Sequence, residues 1–320
     1  MKYVDLQGSV PDGLQSFSSS TYPIQDSTPI TSLAMNPTGT QLAVFYTSMS
    51  LRIYDIPVIP SSSPVQATGP IARSHEAPVH VCTIDASSSY LVSGAADGVV
   101  KVWDIRRGYV THAFKGHGGV VSALAFHIVP DGKMSLFTAS VDNLIRVFEL
   151  TASSSRGGSA KPQFILEGHV SVPRALSVST DGHWLLSGGR DSVVLLWNLL
   201  GSSTDKNKGK NKATERVPTL AKTIPILERV EAAGIVEEEG VDTSVQLKFY
   251  TGGEKGSVRI WEAWQGQCLS TLGEAAIAQH QEEQREIVDI MYVHNHDVRD
   301  QALTSMQLSP GFVYDRVLAC

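Results

Sequence analysis

The sequence has few cysteines, and they are scattered. Its 320 residues contain three, Cys82, Cys268 and Cys320, which are odd in number, far apart and without CxxC spacing. This usage suggests neither a disulfide framework nor a thiolate zinc site. It indicates a reducing compartment such as the cytosol or the nucleus, and we expect each cysteine to be a small buried or incidental residue.

Long apolar runs and an excess of positive charge are also missing. Nowhere do 18 apolar residues follow one another, and the amino terminus MKYVDLQGSVPDG has no apolar leader run. The formal net charge of -6 gives no overall attraction for nucleic acid or anionic membrane, although a local basic patch can still exist. With 42% apolar residues the chain should fold, and proteins are its default partners.

Helical periodicity is scarce before residue 273, and short strands take its place. Runs such as VVSALAF, LLSG and VVLLWNL are rich in Val, Leu and aromatic residues, and DG, SG, GG and NPTG turns separate them. This pattern predicts small antiparallel sheets of about four strands. A lone sheet of this kind cannot bury both faces, so the sheets should stack against one another.

Landmark residues recur at fixed offsets along the chain. Aromatic residues end five apolar runs, at spacings of 49, 45, 49 and 64 residues: Tyr54, Trp103, Phe148, Trp197 and Trp261. Six positions before three of them stand Asp97, Asp142 and Asp191, and ten positions before four of them stand Ser93, Thr138, Ser187 and Thr251. Histidines open three units, 22 to 25 residues before the aspartate: His75, His117 and His169. Four residue types in register indicate a structural repeat.

The His, Ser/Thr, Asp and Trp landmarks resemble WD-repeat (WD40) blades over roughly residues 30–272. In that family the four side chains form a hydrogen-bonded chain inside each blade, in which the hydroxyl accepts from the indole. The resemblance implies two complete networks: His75, Ser93, Asp97 and Trp103, and His169, Ser187, Asp191 and Trp197. His117, Thr138 and Asp142 should form a shorter one, because Phe148 replaces the indole. The first copy, which ends in Tyr54 and Asp55, and the fifth, with Lys255 in place of Asp, are degenerate.

The expected fold is therefore an all-β WD40 propeller with five recognisable blades. We place them at 30–56, 74–105, 116–150, 168–199 and 228–272, with a partial blade at 1–29 and a degenerate sixth at 287–316. Against the family pattern the ring looks incomplete, which would fit a truncated gene product. An open ring leaves unpaired faces and edges, so we expect low solubility or oligomers of the isolated chain.

No enzyme signature survives inspection. Ser, His and Asp in one set invite a hydrolase interpretation, but a triad occurs once per enzyme, on an exposed turn such as GxSxG, which is absent. TGGEKGSV at 251 is not a phosphate-binding loop. HNHD at 294 offers His294, His296 and Asp297 as metal ligands, but no second cluster accompanies them. We expect no catalytic residue, metal or cofactor.

Two basic features remain open. The segment 201–216 carries Lys206, Lys208, Lys210, Lys212 and Arg216 among small polar residues, and it is either a solvated loop or a contact for RNA phosphate or nuclear import. Arg106, Arg107, Arg174 and Arg190 are candidates for a binding cluster on one rim, or they are solvated or paired.

Residues other than the landmarks carry a narrower resemblance. RGYVTHAFKGHGGVVSAL and TIPILERVEA are similar to the first propeller of the transducin-beta-like WD-repeat family, subunits of the UTP-B complex of the small-subunit processome. This resemblance implies a nucleolar scaffold in pre-rRNA processing and 18S rRNA maturation. Its partners would be other WD-repeat subunits of UTP-B and the processome, with pre-rRNA or U3 small nucleolar RNA touched directly or indirectly. A WD-repeat adaptor or substrate receptor of another complex is the alternative.

Overall fold

The structure is a computed structural model. It describes residues 28–56, 67, 73–85, 87–128, 134–150, 161–202, 217–236 and 246–272, together with short strands at 2–4, 22–24, 291–293 and 317–319. All regular elements in these ranges are β-strands, which confirms the predicted all-β class. No helix of the described residues is long and apolar enough to cross a membrane.

The strands form five consecutive antiparallel sheets, in which neighbours along the chain are neighbours in space. A two-stranded pair, β1 (Lys2–Val4) and β2 (Tyr22–Ile24), precedes them. The first sheet contains β3 (Ile30–Met35), β4 (Gln41–Tyr46) and β5 (Leu51–Asp55), and a bridge joins Tyr54 to Ala67. The second contains β6 (Val79–Ile84), β7 (Tyr90–Ala95), β8 (Val100–Asp104) and β9 (Tyr109–Phe114).

The remaining sheets repeat this plan. The third contains β10 (Val121–Ile128), β11 (Met134–Ser140), β12 (Ile145–Leu150) and β13 (Phe164–Leu166). The fourth contains β14 (Pro173–Val178), β15 (Trp184–Gly189), β16 (Val193–Ser202) and β17 (Val217–Pro225). The fifth contains β18 (Val230–Val236), β19 (Lys248–Gly253), β20 (Val258–Glu262) and β21 (Gln267–Leu272). The five sheets begin within the five predicted blades, but the outer strands β9, β13 and β17 lie beyond the predicted ends at residues 105, 150 and 199.

Tight turns join the second and third strand of every sheet. In each turn one residue takes the left-handed backbone conformation, with φ between 61° and 78°: Met49, Gly98, Asn143, Ser192 and Gly256. A left-handed residue in the turn suits the twist of a hairpin, and Gly98, Asn143 and Gly256 are of the types that adopt this conformation most readily. The left-handed residue follows Asp97, Asp142 and Asp191 directly, so the turn fixes these aspartates at one end of their sheets.

The first strand of every sheet carries a bulge at the same place, one residue after the strand begins. The residues at the five bulges are Thr31, His80, Ser122, Arg174 and Glu231. A bulge re-aims a side chain and bends the strand. These five side chains therefore occupy equivalent places on the five first strands.

The apolar core lies between successive sheets. Separate clusters join the first sheet to the second, the second to the third, the third to the fourth and the fourth to the fifth. Phe45 and Trp103 lie in the first of these clusters, and Leu196 and Phe249 lie in the last. The first strands pack in chain order, β3 on β6, β6 on β10, β10 on β14 and β14 on β18.

The described sheets do not close into a ring, as the sequence led us to expect. On the first sheet, the side facing away from the second holds its own buried cluster, which includes Leu42, Val44 and Tyr46. Of the predicted sixth blade the structure describes only β22 (Met291–Val293), paired in parallel with β23 (Val317–Ala319), unlike the antiparallel blades. The remainder of 287–316, most of the lysine-rich segment and the HNHD stretch lie outside the described residues.

Candidate functional site

The fourth sheet holds all four landmark side chains in one hydrogen-bonded chain. Trp197 Nε1 donates to Ser187 Oγ at 3.0 Å, Ser187 Oγ lies 2.8 Å from His169 Nε2, and His169 Nδ1 lies 2.9 Å from Asp191 Oδ2. The backbone N–H of Val170 also donates to Asp191 Oδ2, at 3.0 Å. Strands β15 and β16, the turn between them and the segment before β14 are thereby tied together.

The donors and acceptors of this hydrogen-bonded network determine which ring nitrogen of His169 carries the proton. Ionised Asp191 only accepts, so His169 Nδ1 carries the proton and Nε2 is left as an acceptor for the Ser187 hydroxyl. Burial lowers the pKa of His169, although Asp191 and Ser187 act in the opposite direction, and the imidazole is therefore neutral. Ser187 is completely buried, so its hydroxyl is not presented to a substrate.

The third sheet is wired differently, because Arg146 enters the network. Arg146 Nη1 donates to Asp142 Oδ2 at 2.7 Å and lies 2.5 Å from His117 Nδ1. His117 Nδ1 is 3.2 Å from the same carboxylate oxygen, and His117 Nε2 is 2.7 Å from Thr138 Oγ1. A guanidinium can only donate, so His117 Nδ1 accepts and Nε2 carries the proton. Burial and then the charge of Arg146 lower the pKa of His117.

The aspartate of this sheet is held by several donors. Asp142 accepts backbone N–H groups of Gly118 and Leu144 besides Arg146, and these hydrogen bonds lower its pKa against the raising effect of partial burial. Phe148 has no indole, and its ring packs on Phe114 with centroids 4.4 Å apart. The chain of polar contacts therefore ends at Thr138, which donates to the Arg146 carbonyl at 3.4 Å.

The second sheet lacks the expected contact between His75 and Asp97. His75 Nε2 lies 2.8 Å from Ser93 Oγ, and Trp103 Nε1 donates to the same hydroxyl at 2.8 Å. His75 Nδ1 is buried without a hydrogen-bond partner. The exposed Asp97 accepts from the Val99 backbone N–H instead, at 3.1 Å.

A lysine takes up the space near that imidazole. Lys101 Nζ donates to the Ser74 carbonyl oxygen at 2.7 Å and lies 5.9 Å from the Trp103 ring centroid. Burial, and after it the charge of Lys101, lower the pKa of His75 to about 3. His75 is therefore a neutral imidazole at any physiological pH.

The fifth sheet keeps only the indole contact of the landmark pattern. Trp261 Nε1 donates to Thr251 Oγ1 at 2.9 Å. Ile226 stands four residues before the first strand, where the second, third and fourth sheets carry His75, His117 and His169, and it is buried. Instead, Arg259 Nη1 pairs with the buried carboxylate of Glu228 at 2.9 Å.

Sequence reasoning missed these cations, although a signal for them was present. Two residues before the aromatic, four of the five copies carry a cation, Arg52, Lys101, Arg146 and Arg259, whereas the fourth copy carries Leu195. Arg52 lies 5.4 Å from the Tyr46 ring centroid in the first sheet. The complete four-residue chain occurs in the one copy that has an apolar residue at this position.

The four candidate binding arginines fall into two groups. Arg174 Nε and Arg190 Nε both contact the buried carboxylate of Glu231 on the neighbouring sheet, at 2.9 and 2.6 Å. Arg106 and Arg107 are exposed in the turn between β8 and β9, where Arg107 donates to Tyr109 Oη and pairs with Asp104 at 3.8 Å. The structure therefore does not bring the four together. Arg174 and Arg190 join adjacent sheets through Glu231, whereas Arg106 and Arg107 lie in an exposed turn.

Possible metal ligands and cysteines also occur among the described residues. Within the described ranges, no set of three or more His, Cys, Asp or Glu side chains is placed to hold a metal ion. Cys82 is a buried thiol that lies 3.2 Å from Ser32 Oγ, and Cys268 is an exposed thiol. Cys320 lies outside the described residues.

A protein-family model matches three of the repeats. The family model described as WD domain, G-beta repeat matches residues 69–104, 108–149 and 160–198. Each range contains the first two strands and most or all of the third strand of the second, third or fourth sheet, and the second and third ranges begin with β9 and β13, the last strands of the preceding sheets.

Relatives match well beyond single repeats. Transducin beta-like protein 3 of Rattus norvegicus is 39% identical over 202 residues, which are 62% of this chain and 22% of that protein. U3 small nucleolar RNA-associated protein 13 of Saccharomyces cerevisiae is 28% identical over 253 residues, 77% of this chain and 27% of that protein. The chain therefore spans about a quarter of the length of these relatives.

A solved structure has the same fold. The crystal structure of RRP9 WD40 repeats superposes with a TM-score of 0.56 at 19% identity, and the match covers 85% of this chain and 67% of that one. At this identity the likeness establishes the propeller fold alone. Together with the repeat matches and the stacked sheets, it shows WD40 repeats within residues 69–198 and a WD40-propeller fold, in a chain similar in sequence to transducin beta-like protein 3.

Proposed function

We propose that this chain is a non-enzymatic scaffold in ribosome small-subunit biogenesis, acting in the nucleolus on the pathway of 18S rRNA maturation. The observation that carries the proposal is its similarity, over 77% of its length, to a yeast protein whose name associates it with U3 small nucleolar RNA. Its partners would be WD-repeat subunits of the UTP-B complex and of the processome.

The polar groups of the repeats support a structural role. Ser93, Thr138 and Ser187 are buried and hydrogen-bonded to imidazoles inside their sheets. A general base and a nucleophile must reach a substrate, whereas these groups face the interior. Their hydrogen bonds serve to satisfy buried indole and imidazole groups.

Protein contacts, more than RNA contacts, are expected to hold the chain in its complex. The net charge of -6 opposes phosphate binding by the chain as a whole. The lysine-rich segment 201–216 is the exception in charge, and it offers a direct contact to RNA. This gives the scaffold one basic segment on an otherwise acidic chain.

The test is mass spectrometry of the proteins that co-purify with the tagged chain from its own cells, with and without ribonuclease. We expect several UTP-B propeller subunits to be recovered and to resist ribonuclease. Recovery of ubiquitin-ligase or signalling components instead would favour an adaptor role and contradict the proposal.

A matched variant separates RNA from protein contacts. Replacing Lys206, Lys208, Lys210 and Lys212 with serine removes the basic segment without touching a described strand. The UTP-B subunits should still be recovered, while cross-linking to RNA should fall. Loss of the protein partners in this variant would overturn the claim that proteins hold the scaffold.

A further inference from the structure

Two apolar side chains of the fourth and fifth sheets stand out by their exposure. Val170 is 84% exposed and Leu227 is 85% exposed, whereas Ile165 and Leu269, the next most exposed large apolar residues among those described, reach 48%. Val170 and Leu227 are equivalent, because each lies three residues before the first strand of its sheet. Unless another molecule covers this surface, both side chains remain in contact with water.

Leu227 is also held in an unfavourable backbone conformation. Its φ is 66°, which is rare for a bulky residue without a compensating contact. Its neighbours Ile226 and Glu228 are buried, and Ile226 N donates to the Ser192 carbonyl at 2.9 Å. The fold thus fixes the segment on both sides and projects the Leu227 side chain into solvent. Strain of this kind tends to persist at binding sites.

Positive charge surrounds the two apolar residues. Arg190 N donates to the Val172 carbonyl and Glu254 N donates to the Arg229 carbonyl, so the hairpin turns lie beside the segments that carry Val170 and Leu227. We call this surface the 4–5 rim; its members are Val170, Arg174, Arg190, Leu227, Arg229, Glu231, Glu254 and Lys255. These members carry four cations and two glutamates, and the two further carboxylates beside Val170 and Leu227, those of Asp191 and Glu228, are buried and bound to His169 and Arg259.

The three arginines of the 4–5 rim outnumber its two glutamates. Arg174 and Arg190 share the single carboxylate of Glu231, so these three side chains carry a net positive charge. The Arg229 guanidinium lies 3.5 Å from Glu254 and remains 58% exposed. The charge of Arg174 also reaches the first strand of the second sheet, where partial desolvation and then this charge lower the pKa of His80.

We propose that the 4–5 rim is a docking site for an extended segment of another protein that combines aliphatic and acidic side chains. Val170 and Leu227 would bury the aliphatic groups, and Arg174, Arg190 and Arg229 would pair with the carboxylates. An acidic segment fits because its charge complements the rim. The proposal rests on this geometry alone and is independent of the role in ribosome biogenesis.

RNA fits this surface less well than an acidic protein segment. Base recognition by single-stranded RNA sites uses aromatic or guanidinium stacking, and the two most exposed groups here are aliphatic. Aliphatic side chains flanked by arginines instead match the apolar centre and charged border of a protein interface. Competition by an RNA oligonucleotide of the same charge therefore belongs in the test.

The experiment is fluorescence anisotropy with the full chain and a labelled twelve-residue peptide of alternating Glu and Leu. We expect saturable binding in the micromolar range, weakened at least about tenfold by Val170→Asp together with Leu227→Asp. Both positions are more than four-fifths exposed, so these changes leave the core intact. Arg229→Glu should weaken binding in the same direction.

Matched controls decide the outcome. Val217→Asp with Leu269→Asp places the same charges on half-exposed positions of outer strands, and Arg106→Glu reverses a distant exposed arginine. Neither should change the affinity by more than about twofold. The proposal is overturned if the peptide does not bind at roughly 1 mM, if the rim variants bind as tightly as the wild type, or if an alternating Lys–Leu peptide or the RNA binds equally well. Failure here would leave the co-purification result untouched.

Discussion

The third and fourth sheets carry the same histidine, hydroxyl and aspartate at the same places, and yet their hydrogen bonds run differently. In the fourth, His169 itself donates to Asp191, and Leu195 lies in the apolar cluster between the third and fourth sheets. In the third, Arg146 donates to Asp142 and approaches His117. A single residue two places before the aromatic therefore determines which group supplies the donor to the aspartate.

The second and fifth sheets extend this lesson. Lys101 satisfies a backbone carbonyl beside His75, and Asp97 turns outward to its own hairpin. Arg259 binds Glu228 where the fifth sheet has no histidine. In the second, third and fifth sheets the cation is at least partly buried and pairs with an oxygen, and that oxygen differs from sheet to sheet.

The largest expected effect comes from breaking the complete network at its indole. Trp197→Ala should destabilise the chain by about 3–5 kcal/mol, because it leaves a cavity between the third and fourth sheets and removes the indole N–H that Ser187 accepts. The midpoint and slope of urea unfolding measure it. Leu269→Ala, at an exposed position, is the control, and an equal loss for both would contradict the account.

The two aspartates at equivalent turns should differ. Asp191→Ala is expected to cost about 2–4 kcal/mol, since it leaves the buried His169 N–H and the Val170 N–H without an acceptor. Asp97→Ala should cost less than about 1 kcal/mol, because the exposed carboxylate only caps its own turn. Urea unfolding of both variants provides the comparison, and equal costs would show that Asp97 also serves the buried histidine.

Stability should fall as the pH drops below 6.5. The pKa of His75 is about 3 in the folded chain and has its ordinary value of 6.5 in the unfolded chain. As the pH falls from 6.5 to 3, only the unfolded state binds this proton, and the folded state becomes less stable relative to it. At pH 5 this amounts to about 2 kcal/mol from His75. Unfolding free energies at pH 5 and 7 measure the effect.

His75→Gln is the control for this pH dependence. The variant should lose up to about 1.4 kcal/mol per pH unit of the dependence, while His117 and His169, whose pKa values are also lowered, keep theirs. An unchanged slope in His75→Gln would mean that His75 titrates normally in the folded chain.

A smaller effect is expected when the third sheet is given the residues of the fourth. Arg146→Leu combined with Phe148→Trp supplies an indole donor for Thr138 and removes the competing guanidinium. Stability should change by only about 1 kcal/mol, because one buried set of hydrogen bonds replaces another. His117 should then bond to Asp142 through Nδ1–H, and the chemical shifts of its two ring nitrogens would reveal it.

The offsets of the landmark residues predicted the sheets and the partners of the indoles, because a backbone position in a hairpin depends on counting residues from the turn. They could not predict that His75 and Asp97 stay apart, because the outcome depends on where the ammonium of Lys101 finds an oxygen. The sequence also could not predict that Arg174 and Arg190 both pair with Glu231. This pairing joins two sheets, and no offset within a repeat reports contacts between repeats.

The most direct test of the central claim, that the residue two places before the aromatic sets the wiring of each blade, is the tautomer of His117 and His169 in the wild-type chain. Nitrogen NMR at pH 7 distinguishes a protonated Nδ1 from a protonated Nε2 for each neutral imidazole. We predict the proton on Nδ1 in His169, which donates to Asp191, and on Nε2 in His117, which donates to Thr138. The same tautomer in both would contradict the claim.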